Sequence, residues 1–138
     1  MSETQVLSEF KKNLISFFDE LIGQYPNEGD LIRIRIYIKD QKPIEDIIDI
    51  FTHYVNKNDQ EIKKIVKNRN ESFFLQNNIF DFLGKVKVLH FKKLWRSEVD
   101  EEDKEIMWSW IDSFIYLSDK YIKLKNSVKT EITEENNS

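Results

Sequence analysis

The sequence predicts an all-α protein: a single bundle of five or six helices over residues 1–125, followed by a disordered polar tail over residues 126–138. Three observations carry this. Apolar residues recur at three- and four-residue spacing in both the first and the last helical stretch. Three glycines and two prolines in 138 residues leave little material for the turns of a β-sandwich. With no cysteine, a disulfide framework, a thiolate zinc site and a thiol nucleophile are all excluded. The length suits one domain with a sizeable core.

The first helix is expected over about residues 4–24. Leu7, Phe10, Leu14, Phe17 and Leu21 form its stripe, widened by Val6, Phe18 and Ile22, and Ser2 or Thr4 can cap it. Pro26 and Gly29 in QYPNEGD then mark a turn. LIRIRIYI, residues 31–38, can be read in two ways. Ile32, Ile34, Ile36 and Ile38 alternate with Arg33, Arg35, Tyr37 and Lys39, which is the period of a strand, with KVKV at 85–88 as its natural partner. A helix capped by Asp30 instead puts Leu31, Ile34 and Ile38 on one face. Neighbouring helices favour the second.

Pro43 suits the first turn of a third helix, where its missing N–H costs nothing. Ile44, Ile47, Ile48, Phe51, Tyr54 and Val55 are its buried stripe. A shorter helix over about 59–69 follows, with Asp59 as cap and Ile62, Ile65 and Val66 inside. NRNES connects to a long apolar segment, about 76–96, on which Ile79, Leu83, Val86, His90 and Leu94 share one face. Gly84 offers a bend there. The last helix starts at Asp100, and Glu101, Glu102 and Asp103 place negative charge at the positive end of its dipole. Met107, Trp110, Phe114, Leu117 and Tyr121 are its stripe, and after Lys125 the apolar period is lost.

FFDELIGQYPNEGDL, ESFFL and EEDKEIMWSWIDSFIYLSDKYI occur in that order. In this the chain resembles a group of short helical proteins encoded by nucleocytoplasmic large DNA viruses, over most of residues 7–123. The resemblance implies a virion or replication-compartment protein. It implies no reaction, because no catalytic residues are defined for the group.

Signatures of catalysis are missing. There is no GxGxxG, GxxxxGK[ST], HExxH or GxSxG. The two histidines, His53 and His90, fall within helices and read as packed side chains rather than metal ligands. As a calcium loop from Asp100, the acidic run puts Lys104 at the fifth position and Ile111 at the twelfth, so capping explains it better. No catalytic residue, cofactor, metal or small-molecule substrate is expected.

Two surfaces remain. Lys85, Lys92, Lys93 and Arg96 can form a basic stripe for phosphate or for an acidic partner, supplemented by Arg33, Arg35, Lys63, Lys64 and Lys67. The domain as a whole is acidic, with a formal charge of −4, which favours a solvated face. Trp108 and Trp110 lie about 200° apart on a helix. Trp110 continues the stripe, and Trp108 either meets a second packed surface or is an exposed interface anchor.

The leading expectation is therefore a non-enzymatic interaction or structural protein, virion-associated, with a protein partner or self-association. The alternatives are a nucleic-acid accessory protein and an inhibitor of a host signalling protein. The N-terminus carries Glu3 and Glu9, unlike a secretory or transit peptide, and no stretch approaches the roughly 18 apolar residues that span a bilayer. An intracellular location without membrane insertion is expected. The absence of alanine, beside abundant Ile, Lys, Asn and Phe, reads as codon pressure from a low-GC genome.

Overall fold

A computed structural model describes residues 1–76 and 100–137. Every regular element among them is helical. Helix α1 (Glu3–Gln24) begins in a capping box: Ser2 Oγ accepts from the Gln5 N–H at 3.1 Å, and Gln5 Oε1 accepts from the Ser2 N–H at 2.7 Å. Val6, Phe10, Leu14, Phe17, Phe18 and Leu21 are buried along it, while Leu7 and Ile22 pack at the edge.

Residues 31–38 resolve to helix. Helix α2 (Gly29–Ile36) runs into a π-helical turn (Tyr37–Gln41), closed by the Lys42 N–H on the Tyr37 carbonyl at 3.0 Å. Its alternating isoleucines are shared between two faces. Leu31, Ile34 and Ile38 are buried against α1, whereas Ile32 and Ile36 are each 42% exposed. Spacing of two in the sequence thus becomes two i, i+4 pairs pointing opposite ways. Asp30 is not the cap. The helix begins one residue earlier, and Asp30 instead holds Arg33 at 3.0 Å within its first turn.

Lys42 is extended, as a residue before proline prefers, and Pro43 precedes helix α3 (Ile44–Lys67). Ile47, Ile48, Phe51 and Val55 are buried in its first half and Ile62, Ile65 and Val66 in its second. Between the halves Asn58, Asp59 and Gln60 take left-handed backbone, with φ of 53°, 60° and 61°. The separate helix expected from residue 59 is this second half. Asp59 cannot cap it, because an N-cap is extended; its carboxylate lies 3.5 Å from Lys64 instead.

Helix α3 ends in a Schellman motif. The Arg69 N–H bonds the Val66 carbonyl and the Asn70 N–H bonds the Ile65 carbonyl, both at 3.0 Å, with Arg69 at φ 51° where glycine is usual. Helix α4 (Glu71–Gln76) follows directly and buries Phe74.

Helix α5 (Glu101–Asn137) starts as expected, with Asp100 Oδ1 accepting from the Asp103 N–H at 2.8 Å. At 37 residues it is about 55 Å long and is the spine of the bundle, packed on α1 and α3. Its buried line is Met107, Trp108, Ile111, Phe114, Leu117, Ser118 and Tyr121. The backbone of α5 runs on through 126–137. No proline or glycine follows residue 84 to stop it, and extending a packed helix costs far less than nucleating one.

Phenylalanine rings knit the three long helices together. Phe114 lies 6.0 Å from Phe10, 5.7 Å from Phe17 and 6.5 Å from Phe51, mostly edge to face. Polar ties surround this centre: Asn13 Nδ2 donates to Ser113 Oγ at 2.8 Å, Lys63 reaches Asp119 at 2.6 Å, and Lys125 faces Asp49 at 3.7 Å. The segment 77–99, with its expected apolar face, its Gly84 bend and the KVKV stretch, lies outside the described residues.

Candidate functional site

Lys85, Lys92, Lys93 and Arg96, the basic stripe of the sequence reading, lie outside the described residues, as does His90. Four of the five cations meant to extend that stripe are engaged within the fold, and the fifth, Lys67, is exposed with no ion-pair partner among the described residues. Arg33 pairs with Asp30, Arg35 with Asp19, Lys63 with Asp119 and Lys64 with Asp59. A guanidinium or ammonium already facing a carboxylate has less charge to offer a phosphate. His53 is on the exposed side of α3, not packed as its helical setting suggested.

Trp108 is core. It is 4% exposed, with the Phe74 ring of α4 at 4.7 Å on one side and the Arg69 guanidinium over it at 5.4 Å. The second packed surface, rather than the exposed anchor, describes it. Helix α5 meets α1 on one flank and α3 with α4 on the other, so its buried face is wider than a two-helix stripe. Trp108 falls at the edge that α4 covers.

Trp110 falls at the other edge and, of the two described tryptophans, is the one that solvent reaches. It lines a shallow, open cleft between the end of α1 and the start of α5, with Phe17, Glu20, Leu21, Gln24, Asp103, Ile106 and Met107. The indole rests on Phe114, centroids 6.4 Å apart and planes inclined by 28°. Its Nε1–H donates to Glu20 Oε2 at 3.0 Å, which fixes the ring across the gap between the helices. Phe17, Leu21 and Met107 form a buried floor, and Ile106 stands 46% exposed at the side.

The cleft is apolar below and acidic at the rim. Glu20 and Asp103 have no cationic partner among the described residues. Helix α1 ends here without a basic residue in its last turn, so no side chain of its own offsets the negative end of its dipole. Asp103 itself serves the opposite pole, at the start of α5. Sequence reading missed the site because its residues come from two helices about 85 positions apart (Glu20 to Trp110 spans 90). The sequence pointed the other way: spacing puts Trp110 in the buried stripe of α5, whereas the structure leaves it half-exposed.

Among the described residues no cluster of three or more His, Asp or Glu side chains is close enough to hold a metal. Three basic groups among the described residues have raised pKa values: Arg69 through its bond to Asp112, Lys104 through Glu71, and Lys125 through Tyr121. All three lie outside the cleft. Comparison with protein-family models, with curated proteins and with solved structures finds no match to this chain.

Proposed function

We propose that the chain is a non-enzymatic interaction protein, of the virion-associated or replication-compartment kind that the viral resemblance implies. The observation that carries this reading is Trp110, a rigid aromatic held half-buried over an apolar cleft by Glu20. Side chains of this type, seated beside a pocket and partly solvated, are the usual anchors of protein interfaces. Ile32 and Ile36, turned away from the core on α2, and Tyr116, 57% exposed on α5, add apolar surface without belonging to the cleft.

The test pairs sedimentation velocity of the purified chain at micromolar concentration with crosslinking and mass spectrometry of the tagged chain in cells. A stoichiometric homo- or hetero-complex that is lost in Ile106→Glu is the expected result. A monomer with no stoichiometric protein partner in either experiment would overturn the proposal.

A further inference from the structure

The geometry of the cleft points to its occupant: one arginine side chain presented by a basic segment of a partner protein. This rests on the interaction reading above and names the partner's chemistry. Shape sets the first limit. The cleft is shallow and open, an apolar floor between two helix ends rather than an enclosed cavity, so it suits one side chain laid along it rather than a small molecule sealed inside.

Charge sets the second limit. Two rim carboxylates without cationic partners among the described residues make the opening attractive to a cation, while the poles of α1 and α5 at its two sides are of opposite sign. Glu20 spends only Oε2 on the indole, which leaves Oε1 for a donor from outside. The lining then separates arginine from lysine. A guanidinium is planar, so it can lie against the indole of Trp110 while donating to carboxylates at its edge. Its methylene stem packs on Ile106 and Met107, the apolar part of a side chain that reaches for a polar rim. An aliphatic guest would satisfy the floor and leave the rim unanswered; a phosphate would be repelled by it.

The chain has three indoles, those of Trp95, Trp108 and Trp110, so nitrogen-15 NMR can follow each one, with Trp110→Phe assigning the resonance that matters. The probe is a capped octapeptide of alternating leucine and arginine, and its control is the same peptide with citrulline, neutral and nearly isosteric. The Trp110 indole resonance is expected to shift saturably with the arginine peptide and to stay in place with citrulline. Glu20→Gln combined with Asp103→Asn is expected to weaken binding at least tenfold while circular dichroism stays unchanged; Asp103→Asn alone serves if the pair perturbs folding. Four results overturn the inference: no shift at millimolar peptide, equal binding of the citrulline peptide, indifference to the carboxylate variants, or a concentration-dependent shift without peptide, which would make a second copy the occupant. If the peptide fails while a stoichiometric protein complex persists, this inference alone falls. If no complex exists, the interaction reading falls, whatever the peptide does.

Discussion

Arg69 grips Asp112 with both terminal nitrogens, Nη1 at 3.1 Å from Oδ1 and Nη2 at 2.7 Å from Oδ2, while lying over the ring of Trp108. One residue thereby ties the end of α3 to α5 and roofs a core tryptophan. It does so from left-handed backbone, where a side chain other than glycine costs about 1–2 kcal/mol.

Two opposed effects therefore meet at position 69. Arg69→Ala keeps the strained backbone and loses the fork, and is expected to destabilise by about 1 kcal/mol, since the pair is partly exposed. Arg69→Gly loses the fork but relieves the backbone, and is expected to lie within about 0.5 kcal/mol of the parent. Urea denaturation of both variants checks this; a glycine variant less stable than the alanine one would contradict the Schellman assignment.

Phe114 sits where α1, α3 and α5 converge. Phe114→Ala is expected to cost about 3–5 kcal/mol, a large part of the roughly 5–15 kcal/mol that holds a domain of this size. Phe114→Leu should cost much less. Thermal unfolding by calorimetry gives both values, and a small effect of alanine would mean that the three helices do not share one core.

On α2 the two faces should respond differently. Ile34→Ala opens a cavity and is expected to cost about 2–4 kcal/mol, whereas Ile32→Lys on the exposed face should stay within about 0.5 kcal/mol. Equal costs at 32 and 34 would contradict a helix over these residues.

The left-handed turn at Asn58, Asp59 and Gln60 concentrates backbone strain in α3. Gln60→Gly is expected to stabilise by about 0.4–1 kcal/mol, because glycine enters this region freely. A lower urea midpoint for that variant would place residue 60 in ordinary helix.

Lys104 lies 2.7 Å from Glu71 and 3.3 Å from Glu101, with its side chain only 16% exposed, and so joins α4 to α5. The bond to Glu71, opposed by burial, raises its pKa above the ordinary lysine value. A raised folded-state pKa means that its contribution is complete below the unfolded value of about 10.4 and is lost as pH rises through the folded one. The urea midpoint should fall more steeply above that pH in the parent than in Lys104→Met. Parallel curves would show that the ammonium contributes nothing.

Most of the fold was legible because a helix declares its buried face in its own spacing. Phe10, Leu14, Phe17 and Leu21 on α1, and Ile47, Ile48, Phe51 and Val55 on α3, needed no partner to be recognised. Ser2 and Asp100 were likewise readable as caps, since both capping partners lie within three residues. The reading failed at Asp30 and Asp59, where an acidic residue resembles a cap in composition and only the backbone angle decides. It also failed to foresee the left-handed turn and Arg69, because neither carries the glycine that normally marks such backbone.

Sequence by itself determined that this protein is helical and which faces of α1, α3 and α5 are apolar, because these depend on contacts within a few residues. Only the tertiary structure decided the margins. Spacing puts Trp110 in the α5 stripe and Trp108 about 200° away from it, yet α4 buries Trp108 while α1 leaves Trp110 half-open over a cleft. The burial of a residue at the edge of a stripe depends on which neighbouring helix arrives there, and that neighbour is distant in the chain.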